Sequence, residues 1–186
     1  MEEKLKQKSG NLIKVVLLGP ESTGKTTLAR SLATYYNTEC VPEYMREYLQ
    51  RKWDLEMRVC EPEDMPPIAV GQMEQENSLA EKANELLICD TNLLELKVYS
   101  EAYYNEYCDE QIEKYAIQNF YDLYLLTYVD VPWVQDDLRD KPLERDPMFL
   151  RFKNALDKFN KPYRIIKGSR DQRFKSAIQH IDKLIK

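Results

Sequence analysis

A chain of 186 residues with a formal net charge of −5 and 43% apolar residues is long enough for one domain with a sizeable core and short for two. The acidic balance argues against a general nucleic-acid surface, and four cysteines without a C-x-x-C pair beside a single histidine argue against zinc. The opening MEEKLKQKSG has no apolar signal core, and no apolar run approaches the ~20 residues that span a bilayer, so the expectation is a reduced, soluble, cytoplasmic protein with no membrane partner.

Residues 1–11 read as a flexible start. Leu12–Leu18, LIKVVLL, is β-branched and almost wholly apolar, as expected of a strand covered on both faces. Thr26–Tyr36 turns to helical periodicity, with Leu28 and Leu32 on one face. Glu39–Tyr44 predicts a short strand ending near Pro42, because proline cannot continue a central ladder. A helix through residues 45–53 follows. Arg58–Pro67, rich in proline and acids, reads as a surface loop before a helix over 68–84.

Glu85–Asp90, ELLICD, predicts a second buried strand that stops on a carboxylate. A long, bent helical region is expected over 93–118 and a third strong strand over 123–128. Residues 131–147 change character, with three prolines and two arginines among acids, and read as an excursion. A helix over 148–159, a strand over 163–168 and a closing helix over 171–185 complete the chain. Strands alternating with helices predict an α/β domain over 12–186, a parallel sheet sandwiched by helices. The strand order 2-3-1-4-5 follows from a fold analogy with adenylate-kinase-like proteins, not from periodicity.

Two of the five glycines stand in Gly19-Pro20-Glu21-Ser22-Thr23-Gly24-Lys25-Thr26, which fits G-x-x-x-x-G-K-[ST] without deviation. Glycine lets successive amides turn inward around an anion, and the following helix adds its N-terminal N–H groups and positive dipole end. Lys25 is expected on the β- and γ-phosphates of ATP and the Thr26 hydroxyl on Mg2+. Thr27 is placed with the nucleotide loop but faces another way on the helix. The P-loop NTPase fold follows from this motif, and N/T-K-x-D, the guanine-reading signature of common GTPases, is absent. A small-molecule kinase is the favoured class.

Such a kinase needs a group at the acceptor hydroxyl, a carboxylate for magnesium and mobile cations for the transferred charge. Glu43 is a candidate for the first, as proton acceptor or orienting group, with a helix-start carboxylate as the competing explanation. Arg46 could hold substrate or pair with Glu43. Asp90, ending a buried run, is expected to serve magnesium through water or to serve catalysis. Asp130 reads as a cap. Arg139 and Arg145 flank the excursion, which is either an arginine-bearing lid or an ion-paired loop. Gly168 and Ser169 offer a small turn beside the adenine.

GPESTGKTTLA (19–29), VPEYMREYL (41–49), ICDTN (88–92), PWVQDDLR (132–139) with Arg145, and PYRIIKGSRDQRF (162–174) together resemble the nicotinamide riboside kinase domain of a bacterial NAD-biosynthesis regulator family and its free-standing relatives. The likeness covers nearly all of the chain from about residue 12. It implies ATP-dependent phosphorylation of the ribose 5'-hydroxyl of nicotinamide riboside, a small nucleoside substrate. Glu43, Tyr44, Arg46, Asp90 and Asn92 would then surround the nucleoside, Trp133 would lie by the nicotinamide or pack the lid base, and Asp136 would belong to the substrate site. Asp137 stands where the family usually has glycine. The family's larger members carry an adenylyltransferase with an H-x-G-H pair, whereas His180 is the single histidine here. The alternatives are a kinase for another nucleoside or small metabolite, and an ATP-gated regulatory module.

Overall fold

In a computed structural model describing residues 2–135, 138 and 143–185, the central strand is β1, Ile13–Leu18. It pairs in parallel with β3, Leu86–Asp90, on one side and with β4, Leu123–Thr127, on the other. β2, Cys40–Val41, and β5, Tyr163–Ile166, form the edges, and the order is β2-β3-β1-β4-β5. The three inner strands are the apolar runs of the sequence. Residues 14–18, 86–90 and 123–127 are buried throughout, as a sheet covered on both faces requires. All five strands point the same way, so their C-terminal ends form one rim, where ligands of open α/β sheets bind.

Two cores lie on opposite faces. One packs Val15, Leu17, Ile88 and Leu125 against α2, Lys25–Tyr36, and α8, Arg170–Ile181. The other packs Val16, Leu18, Leu87, Cys89 and Leu126 against α4 (Met65–Ala80), α5 (Leu93–Tyr103), α6 (Glu110–Gln118) and α7 (Arg145–Lys158). Among the described residues no helix is long and apolar enough to cross a membrane.

Several boundaries differ from the sequence expectations. The long helix over 93–118 is broken into α5 and α6 at Asn105 and Glu106, both at positive φ, and Asp109 caps α6 by accepting from the Gln111 and Ile112 amides. Buried Lys97 then ties the pieces together, pairing with Glu101 and with Glu113 at 3.1 Å. α4 begins at Met65, inside the expected loop. Pro66 and Pro67 sit in its first turn, where a missing N–H removes no intrahelical bond. The same logic lets α7 start at Arg145 with Pro147 in its first turn.

The start of the chain departs most. Instead of fraying, α1, Glu2–Leu5, docks between α4 and α6 with Leu5 completely buried. Its carbonyl accepts from Asn119 Nδ2 at 3.2 Å, and Gln7 donates to Glu76 at 2.8 Å and accepts from the Phe120 amide at 2.7 Å. Glu76, wholly buried, also meets Lys14 at 3.0 Å and the Tyr121 hydroxyl at 2.6 Å. One leucine among charged residues has no periodicity to announce it. Leu5→Ala should cost about 3 kcal/mol and lower Tm by roughly 6–12 °C; a melting shift under about 1 °C would mean that the segment is not docked in solution.

Candidate functional site

At the C-terminal end of β1 the chain turns through Gly19–Thr26 into α2. Gly19 has φ 140° and Gly24 φ 81°, values that side chains rarely adopt. A Cβ on Gly19 would also run into Thr127 at the end of β4. The loop is braced from inside. The Thr23 hydroxyl donates to the Pro20 carbonyl at 2.6 Å and lies 2.7 Å from the Thr127 hydroxyl. Gly24 is the N-cap of α2 and caps it with no side chain, leaving the first-turn amides without a side-chain partner. This is the geometry of an anion cradle.

Lys25 closes the cradle. It is buried, and its Nζ donates to the carbonyls of Gly19 at 2.7 Å and Pro20 at 3.2 Å and lies 3.5 Å from Glu95 Oε1. Burial alone would push its pKa down. The charges of Glu95, Glu43 and Asp90 outweigh that and hold it above its usual value, so the ammonium stays charged.

Asp90 ends β3 beside the loop. It is 1% exposed, and neither carboxylate oxygen has a hydrogen-bond partner. Burial raises its pKa from the ordinary carboxylate range, while the Thr26 hydroxyl and the charges of Lys25 and Arg30 pull the other way. Two orphaned oxygens at the rim next to a hydroxyl are costly to bury, and they are what a bound cation or its waters would satisfy.

Glu43 is the N-cap residue of α3, Tyr44–Glu56, yet its side chain makes no capping hydrogen bond. Instead it lines a cavity of about 360 Å³ that opens off the loop. Glu21, Lys25, Thr26 and Arg46 form the polar end of this cavity, and Met45, Leu49, Trp53, Tyr99, Tyr103 and Tyr104 form its apolar wall. A second cavity, about 650 Å³, lies across the loop between Thr27 and Ser31 of α2, Val131, Pro132 and Val134, and Arg170 and Phe174 of α8. The loop thus separates two chambers, one aromatic with both carboxylates and cations, the other bordered by Arg170 and Arg173.

The structure gathers Gly19 to Thr27, Glu43, Arg46 and Asp90 at this rim. The other described candidates line neither cavity. The Tyr44 ring packs over Gly71, leaving no room there for a Cβ. Asn92 caps α5, accepting from the Leu94 and Glu95 amides at 3.0 and 3.4 Å. Trp133 lies against Arg145, whose guanidinium is 5.9 Å from the ring centroid. Arg145 donates to the carbonyls of Val129 and Val131 at 2.7 and 2.8 Å, so it braces the chain after β4. Gly168, φ 95°, and Ser169 form the turn into α8, with Ser169 capping it. Asp130 caps no helix; it accepts from the Gly168 amide at 2.6 Å and pairs with Arg173. Asp136 and Arg139, like Asp137, lie outside the described residues.

Three residues at the site were not among the sequence candidates, although Arg173 lies within PYRIIKGSRDQRF. Arg173 of α8 donates to the carbonyls of Gly168, Thr23 and Tyr128 at 2.8–2.9 Å, pinning the loop to the sheet's far half. Glu95 meets Lys25, and burial holds its carboxyl well above the usual range, opposed by Lys25 and reinforced by Glu43 and Asp90. Tyr99, one turn further along α5, reaches the aromatic wall.

Residues 14–173 match the model of a family described as an AAA domain. The chain is 29% identical over 128 residues to the trifunctional NAD biosynthesis/regulator protein NadR of Salmonella typhimurium, an overlap of 67% of this chain and 30% of that protein. It therefore spans about a third of that relative's length. A crystal structure of NadR protein in complex with NR aligns with a TM-score of 0.72 at 22% identity, over 93% of this chain and 50% of that one. NadR protein in complex with NAD and AMP-PNP aligns with a TM-score of 0.75 at 22% identity, over 93% and 49%. The P-loop fold is common to all of them. With the family model running from Lys14 through the P-loop to Arg173, this chain belongs to the AAA domain family AAA_28.

Proposed function

We propose that this protein is an ATP-dependent kinase that phosphorylates the ribose 5'-hydroxyl of nicotinamide riboside to give nicotinamide mononucleotide. The observation that carries the reading is the joining of a phosphate cradle to an aromatic, carboxylate-bearing cavity, with Lys25 at the junction. The likeness to NadR supports it. A pyridinium ring is flat and cationic, so aromatic faces beside Glu43 favour it over neutral bases.

The residues present fit ATP and Mg2+. The amides of Gly19–Thr26 and Lys25 would hold the β- and γ-phosphates, and the second cavity, beside Thr27, Arg170 and Phe174, would take the base. Thr26 and Asp90 would hold the metal, which when bound neutralises phosphate charge. Among the described residues no three His, Cys, Asp or Glu side chains form a metal cage. That suits magnesium, which is commonly bound by one or two carboxylates plus the substrate's own phosphates. Glu43, at the polar end of the acceptor cavity, orients the 5'-hydroxyl or accepts its proton. Lys25 meets the charge that develops on the transferred phosphoryl group. Arg145 enters this reading as the brace of the segment that carries Arg139.

ADP release measured with nicotinamide riboside, adenosine, deoxyadenosine, thymidine and no acceptor tests the assignment. Turnover on nicotinamide riboside should exceed that on each neutral nucleoside by at least about tenfold. Comparable rates on deoxynucleosides with none on nicotinamide riboside would reassign the acceptor, and hydrolysis indifferent to any acceptor would favour a regulatory module.

A further inference from the structure

Glu95 sits in the first turn of α5, its backbone held by the Asn92 cap. Its side chain is 2% exposed, Oε1 lies 3.5 Å from Lys25 Nζ, and Oε2 has no hydrogen-bond partner. Tyr99 on the same helix lines the acceptor cavity, and Glu95 does not. It therefore acts through Lys25 and not on the acceptor. Lys25 is already engaged in the structure, since an ammonium has three protons to donate and the carbonyls of Gly19 and Pro20 and the Glu95 carboxylate stand within 2.7–3.5 Å.

We propose that Glu95 is a positioning residue that competes with nucleotide phosphates for Lys25, holding the ammonium while the loop is empty, yielding it on binding and reclaiming it as the diphosphate product leaves. The inference rests on the nucleotide reading of the loop given above. The groups facing Glu95 are Lys25 from α2, Glu43 from the start of α3, Asp90 from β3 and Tyr99 from its own helix. Among these described groups Lys25 is the cation. Separating a buried pair leaves Glu95 desolvated without its partner, and that cost is subtracted from nucleotide affinity and recovered on release. The effect is a looser grip on product than the bare loop would have.

Stopped-flow fluorescence with N-methylanthraniloyl-ADP and magnesium, on the full chain and on Glu95→Gln, tests this. The variant should release the nucleotide about tenfold more slowly with an association rate within about twofold, because short-range buried pairs act on dissociation and long-range charge acts on association. A damaged fold would loosen the nucleotide, the opposite sign. Unchanged or faster release, or tightening confined to the association rate, would overturn the proposal. A wild-type chain that binds no nucleotide at millimolar concentration would instead overturn the nucleotide reading on which it rests.

Discussion

Lys25→Ala should lower kcat/KM for ATP by about 10³-fold or more, the scale set by removing one donor from a site that stabilises developing charge. The loss follows from placement. Lys25 lies at the junction of the cradle and the acceptor cavity, where the proposed reaction would place the phosphoryl group, while Arg46, also on that cavity, and Arg30 line the groove to its side. The substitution also leaves Glu95 and Asp90 buried without their shared cation, which costs stability. Activity is therefore measured well below the variant's own melting temperature, with Lys25→Met as a second variant that keeps the side chain's bulk. Residual activity above about a tenth of wild type in both would remove Lys25 from the chemistry.

Asp90→Asn should reduce kcat by about 10²–10³-fold while leaving the fold at least as stable at neutral pH. The two halves of this expectation come from the same orphaned oxygens. With no hydrogen-bond partner on either, the cost of burying the carboxylate outweighs what the Thr26 hydroxyl, Lys25 and Arg30 return to it in the absence of a ligand. Its pKa is raised by burial. A raised folded pKa means that stability present below the unfolded pKa is lost as pH rises through the folded value. Asparagine escapes that loss, so its Tm should match or exceed wild type at pH 7.5, with the gap closing below the ordinary carboxylate range of about pH 4. Magnesium-dependent turnover within twofold of wild type would separate Asp90 from the metal. A large fall in Tm would show that the carboxylate holds the structure together.

Lys25 was legible from G-x-x-x-x-G-K-[ST], just beyond the apolar run LIKVVLL, and Asp90 because it closes the run ELLICD. A buried strand must stop, and the residue at which LIKVVLL or ELLICD stops lies at the rim where an α/β sheet exposes its functional edge. Tyr44 and Asn92 were drawn into the substrate site by their neighbours in VPEYMREYL and ICDTN, but adjacency in the chain does not make adjacency in the cavity. Tyr44 starts a helix and turns onto Gly71. Asn92 spends its side-chain oxygen on two helix amides. A tertiary contact holds the first and a helix cap the second.

By itself, then, the sequence determined the alternation that builds a parallel sheet and the loop that cradles phosphate. Both are local: a run of apolar residues demands burial, and two glycines permit a turn that other residues resist. The tertiary structure alone decided that Leu5 fills the core and that Glu95 meets Lys25. It also decided that Arg173 reaches back across 150 positions to the Thr23 carbonyl. Those contacts depend on how helices pack over the sheet, and packing joins segments whose spacing along the chain carries no period to read.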